Sequence, residues 1–224
     1  MSAASAEHRV HPELKLRDAF WPAQLTVALA IALDVALPER LTLGPNWLVP
    51  ALEGVLLLAL AIATPRENMR YSPRRRQLAV GLISLISLIN LISLVLLVHY
   101  LIRGGKTGGH ALILAGVVLW VTNVLIFGLW FWEMDRGGPV RRATDPDALP
   151  DFMFPQMDKT QFARKDWMPG YLDYMYLSYT NATAFSPTDT MPLTPTAKVL
   201  MTVQSLAALV TVGLVVARAV NILT

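Results

Sequence analysis

Five apolar runs punctuate the chain, and the few polar residues inside them decide what each run predicts. Residues 20–37 are apolar but for Asp34, Thr26 and Gln24, and stop at Pro38. After a short polar connection, residues 47–63 form a second run that holds Glu53. Together they predict a helical hairpin whose first arm is marginal for a full crossing and either tilts or lies partly in the interface. Residues 78–102 carry no Asp, Glu, Lys or Arg. A hydrocarbon core about 30 Å thick needs about 20 apolar residues as a helix, so this run predicts the clearest spanning helix. Ser84, Ser87, Asn90 and Ser93 recur along it every three residues. At about 100° per residue they draw a slanting ridge suited to close helix contact, with a polar pathway lined by Asn90 as the functional alternative. Residues 111–132 predict the next spanning helix, ending in Trp130-Phe131-Trp132 as an aromatic belt, and Glu133 and Asp135 follow, read as carboxylates solvated at a helix end in preference to an acid/base or cation-binding pair. The last run, residues 196–223, would be about 42 Å long if helical throughout, enough to cross with tilt. Arg218 near its end either snorkels to the interface or pairs with Asp34 or Glu53.

The stretch 171–189 is different. Residues 171–182 suit a helix but would reach only about 18 Å, too short to cross. Their continuation, Thr183-Ala184-Phe185-Ser186-Pro187-Thr188-Asp189, is rich in hydroxyls and broken by a proline. Backbone of that kind persists at membrane depth only where protein or a watery cavity receives its polar groups. The expectation is a re-entrant helix and loop before the last helix, turning at Pro187.

That run, followed by Pro192, Thr194 and Lys198, resembles the filter and following turn of tetrameric potassium channels, TTVGYGD-x-x-P-x-T-x-x-x-R. Thr183, Asp189, Pro192 and Thr194 match, Lys198 replaces arginine, and Phe185, Ser186, Pro187 and Thr188 stand where Val, Gly, Tyr and Gly belong. The resemblance implies a pore loop. It does not imply potassium selectivity, because that filter lines its pore with backbone carbonyls and its glycines reach conformations that Ser and Thr resist. A broader resemblance runs through Trp130-Phe131-Trp132, Gly137-Gly138, Asp151-Phe152, Phe154-Pro155, Tyr171-Leu172-Asp173-Tyr174, Thr188-Asp189 and Asn221. In order and spacing these are similar to a family of bacterial integral membrane proteins of unknown function, which implies a fold and a location rather than a reaction.

Composition fits the same picture: 224 residues, 54% hydrophobic, mean hydropathy +0.46. The expected class is an all-α polytopic membrane protein with about five transmembrane helices plus the re-entrant segment. The absence of cysteine excludes disulfides, thiol catalysis and cysteine metal sites. Residues 1–19 lack a signal peptide's apolar core and are expected to form a polar, mobile tail in which His8 and His11 are solvated. Residues 64–76 hold Arg66, Arg70, Arg74, Arg75 and Arg76 beside one acid, Glu67, a cytoplasmic loop by the positive-inside rule. With the tail inside, fifteen Lys and Arg fall on the inner side against four elsewhere. This gives multi-pass insertion in the inner (plasma) membrane with an inward-facing loop. Residues 137–170 are too long for a plain connection and are expected to dock through Phe152, Phe154 and Trp167.

Phosphate-loop, dinucleotide, H-E-x-x-H and G-x-S-x-G patterns are absent, and Gly104-Gly105-Lys106-Thr107-Gly108 lacks the spacing of a phosphate loop. Asn181-Ala182-Thr183 fits a glycosylation acceptor, but within a re-entrant segment it is a chance match. No catalytic residue, metal site or cofactor is expected, and a net charge of +3 without aromatic-interleaved basic stretches gives no nucleic-acid surface. The leading expectation is a channel-like protein that assembles in the bilayer as a homo-oligomer, a tetramer if it conducts. Cations would be the permeant class, with hydroxyls from Thr183, Ser186 and Thr188, a constriction at Phe185, and Asp189 either a ring of carboxylates or a turn cap. The alternative is a non-conducting scaffold or partner subunit, its loop sealed by Tyr174, Tyr179 and Phe185. A carrier or intramembrane enzyme using Asp34, Glu53 and Arg218 is the weakest reading.

Overall fold

The computed structural model describes residues 12–35, 37, 47–62, 73–102, 109–145, 147–158, 161, 167–183 and 189–223. The long helices are α1 (Pro12–Val35), α2 (Leu48–Ile62), α3 (Pro73–Ile102), α4 (Gly109–Met134) and α8 (Pro195–Leu223). Between α4 and α8 lie a 3-10 turn (Asp135–Gly137), α5 (Pro139–Thr144), β1 (Phe152–Met153), α6 (Pro155–Asp158), α7 (Tyr171–Thr183) and β2 (Met191–Pro192). This is the all-α fold of a polytopic membrane protein. Three of the described helices, α3, α4 and α8, are long and apolar enough to cross a bilayer, whereas the apolar parts of α1 and α2 are shorter.

Two boundaries differ from the sequence expectation. The helix expected from residue 20 begins at Pro12, so residues 12–19 are its first turns rather than a tail. Likewise α3 begins at Pro73 and takes in Arg74, Arg75 and Arg76. The cause at α3 is visible: the Arg75 guanidinium lies over the Phe20 ring, 3.9 Å from its centroid, so an arginine of the basic stretch is buried as a helix residue against α1.

Packing centres on α4. Of its apolar window 61% is buried, against 22% for α8, because α1, α3, α7 and α8 all lie against α4. One apolar cluster joins Ala23, Val27 and Ala30 of α1 to Leu82, Ile83 and Ile86 of α3 and Leu125, Ile126 and Leu129 of α4. A second lies further along the same helices and joins Leu37, Leu94, Leu97, Leu112, Ala115 and Leu119. The serine ridge of α3 behaves as its slant requires. Ser84 is exposed, the Ser87 hydroxyl donates to the Ile83 carbonyl and accepts the Trp130 indole N–H at 2.9 Å, and Asn90 and Ser93 are buried.

α4 lies close against α8 at Gly116, where an added Cβ would sit 2.3 Å from Val215 Cγ2. Valine is held to one rotamer in a helix and cannot swing aside. Gly116→Val is therefore expected to lower stability by roughly 1–3 kcal/mol through overpacking. Gly213→Ala, where nothing lies within 4 Å, should be neutral or gain up to about 1 kcal/mol of helix propensity. Thermal melts of the two purified variants in detergent check the contrast.

Candidate functional site

The end of α4 is turned back on itself by three successive left-handed residues, Arg136 (φ 55°), Gly137 (φ 78°) and Gly138 (φ 104°). At Gly138 a Cβ would lie 3.3 Å from both the Glu133 carbonyl and its Oε1, so glycine is needed there for space as well as for conformation. Pro139 then starts α5 with a φ already suited to a helix. The reversal brings residues 139–158 over the end of α4. In consequence Glu133 and Asp135, expected to be solvated, are 1% and 0% exposed.

Asp135 is buried with a nearly complete set of partners. Its Oδ2 accepts the Tyr174 hydroxyl at 2.5 Å and lies 3.8 Å from Arg142 Nη1, and its Oδ1 accepts the Asp151 N–H at 2.8 Å. Arg142 also caps α4, donating from Nη1 to the carbonyls of Trp132 at 3.2 Å and Asp135 at 2.9 Å, and it stacks over the Tyr174 ring at 4.9 Å. Asp151 repeats the pattern one step out. Its carboxylate accepts the Arg136 N–H at 3.0 Å and the Thr194 hydroxyl at 2.7 Å, while its carbonyl accepts the Leu193 N–H at 2.8 Å. Thr194 in turn caps α8 by accepting the Ala197 N–H, and Pro195 takes the first helical position. Burial pushes the Tyr174 hydroxyl well above the ordinary phenol range; Arg142 opposes the shift and Asp135 adds to it. The hydroxyl thus remains a donor. Rings close the assembly: Phe152 on Phe131, Phe154 on Tyr174 and Trp167, and Tyr171 on Trp132, with centroids 5.1–5.9 Å apart.

From this anchor α7 runs antiparallel to α4. Tyr171 and Tyr174 meet Trp132 and Asp135, and further along Ser178 meets Val124 and Tyr179 meets Trp120. The helix is 13 residues long, about 20 Å. Its end, Thr183, shares a cavity of about 320 Å³ with Trp120, Asn181, Ser205 and Ala208. Eight residues later the chain is back at the anchor: Met191 pairs with Met153 and Pro192 with Phe152 in a two-stranded antiparallel sheet. Tyr171 at the start of α7 and Pro192 thus both lie at the anchor end.

Side-chain amides hold α7 in place. Ser178 donates to the Val124 carbonyl at 2.6 Å, Gln204 Nε2 donates to the Ser178 carbonyl at 2.9 Å and its hydroxyl at 2.6 Å, and Asn181 Nδ2 donates to Gln204 Oε1 at 2.7 Å and the Met201 carbonyl at 3.0 Å. Asn123 Nδ2 donates to the Gln204 carbonyl at 3.3 Å and Ser205 to the Asn181 carbonyl at 3.2 Å. Three apolar-walled helices are thereby joined through groups that lipid would leave unpaired.

Of the expected pore-loop residues, Thr183 is the exposed last residue of α7, its hydroxyl bonded back to the Tyr179 carbonyl at 2.9 Å, and Asp189 is exposed. Ala184, Phe185, Ser186, Pro187 and Thr188, and with them the turn at Pro187, lie outside the described residues, as do His8, His11 and Arg40. Asp34, Glu53 and Asn90 are buried within the bundle. Arg218 does not pair with either acid: its Nε and both carboxylates are buried without hydrogen-bond partners. Sequence reasoning missed Asn123, Ser178, Gln204, Arg142 and Asp151. A lone amide, Asn123, in the apolar run of α4, an amide deep in the last run at Gln204, and a Gly-Gly-Pro reversal just after paired acids are the signals that mark them.

The anchor is expected to respond in graded fashion. Tyr174→Phe removes one hydrogen bond to a charged group and should cost about 1.5–3 kcal/mol. Asp135→Ala strands the buried Arg142 and should cost about 3–5 kcal/mol. The double variant should fall short of the sum by about 0.5–3 kcal/mol, measurable as a double-mutant cycle on unfolding in mixed detergent.

No family model, curated protein or solved structure matches the chain, and the two resemblances drawn from its motifs stand on their residues alone.

Proposed function

We propose that the protein is a channel-like integral membrane protein in which α7 is a re-entrant half-crossing and several copies bring their α7 ends together around a common axis. The observation that carries this reading is the path of the chain from Asp135 up to the level of Trp120 and back to Met153, with a helix too short to cross and polar groups at its tip. Two further features support it. Cavities of about 300 and 320 Å³ flank Asn181 and Ser205 on the α7–α8 side, placing amide and hydroxyl groups where a purely lipid-facing surface would carry only hydrocarbon. Asp189 is exposed beside the return strand, and in a ring of copies it would present carboxylates that favour cations. The positive-inside count gives the loop an inward orientation.

A second reading, a non-conducting scaffold or partner subunit, is favoured by one observation. The inward side chains of α7 are all engaged, Tyr174 by Asp135 of the turn after α4 and Ser178 and Asn181 by α4 and α8, while Leu172 and Tyr176 are exposed. In that case α7 plugs its own bundle.

Proteoliposomes and mass measurement separate the two. The conducting reading predicts a ring of more than two chains in nanodiscs and cation flux above that of empty liposomes. In Asp189→Asn it predicts cation flux reduced several-fold with assembly unchanged. A monomer or dimer without flux supports the scaffold instead.

A further inference from the structure

Between the two apolar clusters lies a layer of oxygen acceptors. On α3 Asn90 falls between Ile86 and Leu94, and on α4 Thr122 falls between Ile126 and Leu119, at helical spacing; on α1 Asp34 lies one turn beyond Ala30, and its carbonyl accepts the N–H of Leu37 just past the helix end. Residues three and four apart share a helix face, so these three side chains belong to faces that already pack together above and below them. α2 packs against both α1 and α3 and carries the fully buried Glu53 into the same part of the bundle. All four residues are more than nine-tenths buried: Asp34 5%, Glu53 0%, Asn90 7% and Thr122 0% exposed. Both oxygens of each carboxylate, Asn90 Oδ1 and Thr122 Oγ1 have no hydrogen-bond partner.

Of these six unpartnered oxygens the Thr122 hydroxyl alone can donate while both carboxylates are ionised, so hydrogen bonding among them leaves acceptors in excess. Burying two bare carboxylates together costs several kcal/mol each. We propose that this layer, walled by α1, α2, α3 and α4, is a binding site for a hard, oxygen-seeking metal cation, with Asp34 and Glu53 as charged ligands and Asn90 Oδ1 and Thr122 Oγ1 as neutral ones. Oxygen sets of this kind suit a main-group ion rather than a soft transition metal. A divalent ion balances both carboxylates; a monovalent ion balances one and leaves the other to keep its proton. Protons compete for the site in either case.

The charged and titratable groups on the packed elements lie elsewhere. Arg75, Arg76 and Glu133 are near the anchor end of α3 and α4, on the order of 15–20 Å along the axes; His99 and His110 are exposed near the opposite end, and Tyr171 of α7 faces Trp132 at the anchor. Arg74 lies at the anchor end of α3 as well, and Tyr100 and Arg218 lie toward the opposite ends of α3 and α8.

The test uses the full chain purified in detergent after chelator treatment, with sodium, calcium or choline chloride at matched ionic strength. At alkaline pH sodium or calcium, unlike choline, is expected to raise the melting midpoint by several degrees, and the rise should vanish at acid pH. The ion that acts reports the charge of the site. Glu53→Gln, which keeps shape and removes one charge, should lose the response. Should that variant fail to fold, binding of radioactive sodium or calcium to the wild type, displaced by acid, is the equivalent reading. A wild-type midpoint indifferent to both ions at alkaline pH, together with no bound radioactivity, overturns the proposal. None of these readings depends on flux or on α7, so the failure of the channel reading leaves them intact.

Discussion

A carboxylate removed from water is the constraint on which the rest of this structure hangs. Asp135 sits at the end of the most buried helix, and transferring its charge into the protein is worth undertaking only if hydrogen bonds replace the lost water. Those bonds come from far along the chain: a hydroxyl from α7, a backbone N–H from the residue before β1, and a guanidinium from α5. One residue thus fixes where the connecting region folds, where α7 begins and, through Asp151 and Thr194, where α8 starts. The left-handed turn at Arg136, Gly137 and Gly138 is what allows all of them to reach it.

The bundle is layered by polarity along its length. Ionic and aromatic groups fill the anchor end, an apolar cluster follows, and then comes a stratum of amides, hydroxyls and carboxylates before the second apolar cluster. That stratum has two halves with opposite chemistry. On the α7–α8 side donors and acceptors match, so Asn123, Ser178, Asn181 and Gln204 close on one another. On the α1–α2–α3 side acceptors outnumber donors. The first half holds a short helix in position, and the second holds carboxylates whose oxygens have no hydrogen-bond partner.

Much of the framework was legible in the sequence. The uncharged run of α3, the aromatic end of α4 and the length of α8 required no tertiary information, because hydrocarbon thickness alone demands such segments. The shortness of α7 and the charges of Asp34 and Glu53 were equally plain. What could not be read was burial decided by long-range reversal. Glu133 and Asp135 resemble solvated helix-end acids until residues 139–158 fold over them, and Arg75 resembles a loop arginine until Phe20 arrives from another helix. Arg218 illustrates the opposite limit, since two acids of the right sign exist in the bilayer-depth region and none is its partner.

The amide bridge from α7 to α8 carries an implication for biosynthesis. Ser178 and Asn181 emerge from the ribosome before Gln204 does, and until that glutamine is made the two lack the side chain that joins them. The last helix is in this sense the latch of α7: a chain cut short upstream of residue 204 lacks the side chain that Ser178 and Asn181 share.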